Sequence, residues 1–357
     1  MLLKTDVYLK YIVGTEVLEI FQLLPNRKKW IIRNTRENLQ DISNFFRELE
    51  SGKHKSRSID FTIYGKSEYV LKAFWDFLVE NHLISDFEFS KSNTALKPFI
   101  RQLEYFDSWN KSTHDNANYQ ELILNSEIAI IGAGGVGTAL ATTLNSCGVE
   151  KIYICDDDIV SESNLGRQFQ YGMEDLTQKK VNVLAKKLNN RGLGIVIPID
   201  IRINRDNINK IIETYLSNVS LITGLPIPLS KSTRQLYERI LLTGRKILCV
   251  GEHDVGPLLS SVSDIDLFFE NYYTMYYLSN EHLDKRTNIS TQDFHPSYLP
   301  EISIVTSIAA DEIIRYITGY AKLRTDNYCF SLLPINYSIR LKDWRIKNDN
   351  VETWENK

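Results

Sequence analysis

Cysteine is scarce: only Cys147, Cys155, Cys249 and Cys329 occur among 357 residues. No two of them form a Cys-x-x-Cys pair, which excludes a four-thiolate zinc site and a thioredoxin-type redox motif. Their scatter offers no disulfide framework, so they read as small buried hydrophobes. An excess of one charge is missing too. With 42 basic and 45 acidic side chains the net charge is -3, and no global field draws the chain to nucleic acid. No stretch approaches the ~18 uninterrupted apolar residues of a transmembrane helix. Lys4, Asp6 and Lys10 break the segment Met1 to Gly14, where a signal peptide would carry its apolar region. Internal repeats and low-complexity tracts are absent. A cytoplasmic protein with neither membrane nor nucleic acid as partner is expected.

At about 150 residues per domain the length allows two domains, each able to bury a core. Residues 1–90 read as a small α+β unit. Three β-rich runs, Val7–Val13, Val17–Leu24 and Lys29–Arg33, are separated by Gly14-Thr15 and Pro25-Asn26 turns. Two helical stretches follow, Leu39–Leu49 and Ser67–Ile84, with apolar residues recurring at three and four. Three strands with helices resemble a winged helix-turn-helix. Glu37, Asp41, Glu48, Glu68, Asp76 and Glu80 on those helices argue against a phosphate-binding face. The polar stretch Ser85–Asn118, with an aromatic patch from Phe99 to Trp109, reads as a linker with one helix, so residues 91–125 separate the first domain from a second at 126–357. From Ser126 onward strand and helix patterns alternate, the signature of an α/β fold with a mostly parallel sheet.

That second domain opens on a nucleotide motif. The apolar strand Ile128–Ile131 runs into Gly132-Ala133-Gly134-Gly135-Val136-Gly137 and then a helix from Thr138. Strand, glycine turn and helix in this order suit a phosphate: a tight turn, close backbone approach and free N–H groups at a helix end. Gly132, Gly134, Gly135 and Gly137 are therefore candidate nucleotide contacts. The next strand ends in Asp156-Asp157-Asp158, nineteen residues past Gly137, where an acid commonly takes hydrogen bonds from ribose. A dehydrogenase would look the same so far. It would have no use for the following Asn164-Leu165-Gly166-Arg167-Gln168 and Lys180, which bring cations to the phosphate end. ATP cleavage between the α- and β-phosphates uses them, because charge develops on the leaving pyrophosphate.

The run Asp156-x-Asp158-x-x-x-x-x-Asn164-Leu165-x-Arg167-Gln168, with Lys180, resembles the ubiquitin-activating-type (ThiF/MoeB/MccB) adenylating superfamily over roughly residues 98 to 345. The resemblance implies a Rossmann-like ATP-binding domain. It implies that Asp156 and Asp158 serve the nucleotide, that Asn164, Arg167 and Lys180 contact its phosphates, and that Gln168 supports the pocket. Phe99-Ile100-Arg101-Gln102 is similar to a family segment whose Arg enters the partner subunit's ATP site. A homodimer with Arg101, Arg167 and Lys180 as catalytic cations is implied. The N-terminal unit resembles the leader-peptide recognition element of peptide natural-product pathways. There the leader adds a strand to the sheet, with Lys29–Arg33 as the open edge and the helix Leu39–Leu49 as the opposite wall. The architecture resembles the pantocin A type, in which Glu side chains of a precursor peptide are activated and cyclised, ahead of the microcin C type, which adenylates a peptide C-terminus.

The chain departs from that pattern in three ways. The zinc-holding Cys pairs are missing, so ATP and Mg²⁺ are expected and structural zinc is not. No cysteine lies between Gly251 and Arg324 to form a thioester. After the strand Ser220–Gly224, Leu225-Pro226 stands where the family places a magnesium-binding Asp, and a hydrophobic residue cannot ligate a hard cation. Asp158, Asp254 or substrate carboxylates then take over, or turnover is impaired. His253 and Asp254, after the strand Lys246–Val250, are candidates for a general base or metal ligand, against an ordinary loop with a Gly-Pro turn. His295 is a weaker candidate. Asp264–Tyr277 reads as a covering or packing helix, and Ile304–Ile317 as a helix packing a dimer or the sheet. Two functions stay open: a peptide-carboxylate adenylating and cyclising enzyme, or a leader-binding partner protein with a degenerate nucleotide site.

Overall fold

A computed structural model of the chain describes residues 2–4, 6–11, 15–54, 59–85, 94–109, 116–225, 231–268, 271, 297–333 and 338–346. It divides into two compact units, Met1–Leu122 and Ile123–Lys357.

In the first unit β1 (Leu2–Leu3) pairs antiparallel with β5 (Ile84–Ser85). A separate meander of β2 (Val7–Tyr11), β3 (Val17–Gln22) and β4 (Lys28–Arg33) has the order β2-β3-β4. Leu18 and Ile20 point from the central strand into the core, as alternation along a half-buried strand requires. They meet Leu39, Ile42, Phe45, Phe46 and Leu49 of α1 (Arg36–Glu50) and Leu71, Phe74, Trp75 and Leu78 of α2 (Glu68–Glu80). Each such fully buried apolar side chain contributes about 1.5–3 kcal/mol. α1 starts three residues before its apolar run because the Thr35 hydroxyl accepts the Asn38 N–H as an N-cap. α2 stops at Glu80, short of Ile84, where the chain turns through His82 at φ 57°. That turn returns Leu83 and Ile84 to the core, Ile84 pairing with β1.

The single helix expected in the linker is corrected to two among the described residues, α3 (Ile100–Trp109) and α4 (Asn116–Leu124). Leu103 and Phe106 are buried, so the aromatic patch is the packed face of α3 and not a solvated spacer.

The second unit carries an eight-stranded mixed sheet among the described residues, with α/β content and mostly parallel pairing. Chain order runs β6 (Glu127–Ile131), α5 (Gly135–Cys147), β7 (Lys151–Cys155), α6 (Lys180–Asn189), β8 (Ile195–Ile199), α7 (Ile208–Tyr215), β9 (Leu221–Leu225), α8 (Lys231–Leu242) and β10 (Lys246–Val250). Then come β11 (Asp254–Leu259), α9 (Val262–Phe268), α10 (Leu299–Thr318), β12 (Tyr328–Leu333) and β13 (Ser338–Asp343). Spatial order is β13-β12-β11-β10-β9-β6-β7-β8. The five strands β10, β9, β6, β7 and β8 are parallel; β11, β12 and β13 extend them antiparallel. After β6 the chain adds strands on one side and then crosses to β9 on the other. The gap between β6 and β9 is therefore the topological switch point where open α/β sheets place ligands.

The segment read as a Gly-Pro loop is instead mostly strand: Asp254 opens β11, which turns straight back along β10. α10 packs along α5. The described part of Asp264–Tyr277 is helical at Asp264–Phe268 and at Asn271, with Asp264, Ile265 and Phe268 buried. Residues 269–270, 272–277, Pro226 and His295 lie outside the described residues. No helix among the described residues is long and apolar enough to cross a membrane.

Candidate functional site

The glycine loop joins β6 to α5. Gly132 has φ +98°, a left-handed turn closed to ordinary side chains. Its N–H donates to the Cys155 carbonyl at 2.7 Å. A Cβ on Gly137 would stand 1.8 Å from the Gly132 carbonyl oxygen, so α5 meets the strand end through a glycine that nothing else can replace. At Gly134 the opposite holds: a Cβ would meet nothing within 4 Å, leaving open space where backbone and ligand would approach. At Gly135, the first residue of α5, a Cβ would come 2.8 Å from Ile302 Cδ1. Thus α10 supports the loop from behind.

Asp156, at the end of β7, pins this loop. Its Oδ2 accepts the Ala133 N–H at 2.6 Å and its Oδ1 accepts the Asp158 N–H at 2.7 Å. A carboxylate has about four lone-pair sites, so capacity for ribose hydroxyls remains. Lys180 is buried, donates to Asp158 Oδ2 at 2.8 Å, and has its own N–H on the Asp158 carbonyl at 3.1 Å. Asn164 is buried and its Oδ1 accepts the Ser161 N–H at 3.0 Å, closing the turn that carries the Arg and Gln. Arg167 donates from Nη1 to the Ser163 carbonyl at 2.6 Å. Its own carbonyl lies 3.7 Å from a Cβ built on Gly135, which places this turn against the start of α5. Gln168 is buried, with Oε1 lacking a hydrogen bond.

The structure thus gathers the glycine loop, Asp156, Asp158, Asn164, Arg167, Gln168 and Lys180 at the carboxyl ends of β6 and β7. A triphosphate fits this setting. Open space faces the loop and cations flank it.

Tyr171 escaped the sequence reading. Its buried hydroxyl donates to the Ala133 carbonyl at 3.0 Å and lies 3.3 Å from the Lys180 carbonyl. Burial, with Asp156 nearby, pushes its pKa well up, so it stays a neutral donor tying loop to α6. A lone tyrosine outside any motif gave no signal.

Leu225 closes β9 with its side chain buried among Ile222, Tyr237 and Ile247. The position is core, not a vacant ligand. The carboxylates of Asp156, Asp157 and Asp158 lie within 4.8 Å of one another. Asp254 stands apart from them. It accepts the Ser331 hydroxyl across β11 and β12, and burial raises its pKa, so its charged form is disfavoured. Cys249 and Cys155 are buried with pKa values pushed up to about 12, and Cys147 to about 11, all too high for thiolate chemistry.

The remaining candidate, Arg101, belongs to the first unit. It is 90% exposed on α3, paired with Glu104 at 3.0 Å. With Asp6, Tyr8, Leu23, Arg27 and Tyr105 it lines a groove of about 590 Å³.

Both edges of the small sheet are open among the described residues. The Asn34 N–H donates to the Glu16 carbonyl, and the antiparallel alternation from there turns the N–H groups of Lys29, Ile31 and Arg33 outward from β4. Likewise the Leu23 N–H on the Asp6 carbonyl sets Leu9 and Tyr11 outward on β2. The wall expected beside β4 is different: Trp30 meets Phe77 of α2 edge-on at 5.9 Å. α1 instead borders β2, where Leu9 and Tyr11 share a hollow of about 200 Å³ with Gln40, Ser43 and Phe46.

Residues 101–224 match the ThiF family. Over 69 residues the chain is 41% identical to the sulfur carrier protein ThiS adenylyltransferase of Escherichia coli (strain K12), covering 19% of this chain and 28% of that protein. The chain spans about a third or less of the length of the curated relatives it matches. Among solved structures, E. coli MccB with AMPCPP and MccA superposes with TM-score 0.73 at 16% identity, covering 96% of each chain. PaaA gives TM-score 0.63 at 20% identity, covering 80% of this chain and 95% of that one. The superfamily resemblance read from the motif and the Rossmann-like ThiF-type fold are thus both found.

Proposed function

We propose that this chain, whose residues 101–224 carry a ThiF-family match, is an ATP-dependent enzyme that adenylates a carboxylate of a ribosomally made precursor peptide. The observation that carries this reading is the linked set of glycine loop, Asp156, Asp158 and buried Lys180 with Arg167 alongside. The peptide carboxylate attacks the α-phosphorus, and Arg167 and Lys180 neutralise the charge gathering on pyrophosphate. Asp158, exposed like its neighbour Asp157, is a carboxylate able to share Mg²⁺ with the phosphates, since Leu225 is core. The activated acyl group then condenses with a nucleophile of the same peptide. Cyclisation of Glu side chains, as in pantocin A maturation, is the outcome that the sequence resemblance favours, PaaA and MccB sharing this fold. MccB-like adenylation of a peptide C-terminus is the alternative.

The N-terminal residues, 1–90, hold the leader by strand addition to β4. Lys28, Lys29 and Arg33 make that edge basic, suited to an acidic peptide, and Ile31 is 48% exposed on it. Residues 91–125 carry Arg101, which completes the ATP site of a second subunit in a homodimer. Arg101→Ala and Arg167→Ala are each nearly inactive on this reading. Mixing them restores about a quarter of normal activity, since random exchange gives half heterodimers with one complete site each. Absence of recovery, with exchange verified, places Arg101 in its own subunit's site or outside the chemistry.

Incubation of the full chain with ATP, Mg²⁺ and synthetic Glu-containing candidate precursor peptides, followed by mass spectrometry, tests the reading: loss of water from the peptide supports cyclisation, and addition of AMP the C-terminal alternative. Ile31→Pro should weaken peptide binding about tenfold with ATP binding unchanged. If Leu9→Pro does so instead, the peptide joins β2. A second reading, a leader-binding partner protein with a degenerate nucleotide site, is favoured by Leu225 alone, and ATP-independent peptide binding without turnover would establish it.

A further inference from the structure

Outside the residues gathered at the glycine loop, a pair of titratable side chains has the geometry of an oriented, accessible base. His253 Nδ1 lies 2.6 Å from Glu301 Oε1, with the imidazole 54% exposed and the carboxylate 14%. The backbone beneath it is fixed, because the Leu332 N–H donates to the His253 carbonyl at 2.9 Å. Glu301 sits in the first turn of α10, where the helix end favours negative charge. A carboxylate on Nδ1 holds the neutral ring in the tautomer whose Nε2 carries the lone pair. The same division of labour orients the histidine of Ser-His-Asp sites.

Through α10 the pair is connected to the phosphate loop. Ile302, next in sequence to Glu301, lies against Gly135. His253 follows β10, which is two strand spacings from β6, about 10 Å. Both therefore sit at the carboxyl end of the sheet, on the β9–β10 flank of the site, where the nucleotide residues contribute no base. Asp254 does not fill that role: it is held by Ser331.

We propose that His253, oriented by Glu301, is the general base of the second half-reaction, the capture of the acyl-adenylate by an N–H group of the same peptide. This rests on the adenylation reading above. In that step the nitrogen attacks the acyl carbon and a C–N bond forms. The C–O bond to AMP breaks, AMP departs with the electron pair, and the proton from nitrogen passes to His253 Nε2. Glu301 is a positioning residue, acting through the ring.

The test separates the two half-reactions in the full chain, with a synthetic Glu-containing candidate precursor peptide as probe. ATP–pyrophosphate exchange reads activation, and product formation by mass spectrometry reads capture. His253→Asn should leave exchange within about twofold of wild type and slow product formation about 10²–10³-fold, the usual worth of a general base. Glu301→Gln should slow product about tenfold with exchange intact, and added imidazole should partly restore His253→Ala. Rescue by imidazole is a result that a merely structural histidine would not give. If exchange and product fall together, or neither falls, His253 is not the base. If wild type itself shows no peptide-dependent exchange, the adenylation reading fails first and takes this inference with it.

Discussion

β6 and β9 lie side by side at the switch point of the sheet, yet they end in opposite ways. β6 runs into Gly132–Gly137, a loop with open space at Gly134 and a neighbouring carboxylate on its backbone. β9 runs through Gly224 at φ +79° into Leu225, whose side chain is packed into the core. One strand end is open and lined by backbone N–H groups, and the other closes on a leucine that offers a cation no ligand. Positive charge in this chain therefore gathers on the β6–α6 flank, where buried Lys180 and half-buried Arg167 stand, while the β9 flank ends in apolar packing.

The hardest way to break the first strand end is Gly137→Val. Its Cβ has nowhere to go, being 1.8 Å from a main-chain oxygen, so the loop must open. A loss of about 3 kcal/mol or more in denaturant unfolding, together with loss of ATP binding, is expected. Next in size is Lys180→Met, which keeps the buried volume and deletes the cation. Pyrophosphate exchange should fall about 10²–10³-fold with the fold intact. A tenfold fall or less would move the catalytic charge elsewhere.

Leu225→Asp turns the comparison around. A carboxylate forced into the position of a 6%-exposed leucine should cost about 1–3 kcal/mol in stability and should not raise Mg²⁺-dependent turnover. A gain in turnover would mean that β9 ends at a dormant cation site after all. The smallest effect belongs to Asp254, one strand further out. Burial raises its folded pKa above the ordinary 3.8, so the native state binds that proton more tightly than the unfolded chain. Its contribution to stability is greatest below the unfolded value and declines as pH rises through the folded one. Asp254→Asn, which can still accept from Ser331, should flatten that decline in the difference between variant and wild-type stability curves. An unchanged pH dependence would show Asp254 to be hydrated.

The β6 end was legible because its chemistry is local. Glycine spacing, the acid after β7 and the Asn-Leu-x-Arg-Gln run all sit within one stretch of chain, and the structure gathers them. What sequence could not show is contact between distant segments: Tyr171 reaching Ala133 across 38 positions, Ile302 backing Gly135, or Glu301 holding His253 across 48. Strand limits failed where polar composition misled. The Gly251–Pro257 stretch reads as a turn, yet Asp254 starts β11 because its neighbours Val255, Leu258 and Leu259 are buried on the sheet. The aromatic patch after Phe99 likewise looked like a linker because Asn, Ser and Lys surround it, although Leu103 and Phe106 line one helix face. In the first unit the three strands were readable from alternation. Which helix flanks which edge was not, since that depends on packing of Trp30 on Phe77.

The central claim is that the charge at the β6–α6 flank serves cleavage between the α- and β-phosphates in response to a peptide carboxylate. Product analysis decides it, with ATP labelled at its α-phosphate and run with the full chain, Mg²⁺ and a synthetic Glu-containing candidate precursor peptide. The account predicts peptide-dependent label in AMP or an acyl-adenylate, with pyrophosphate released. Label appearing only in ADP would place cleavage at the γ-phosphate and contradict it.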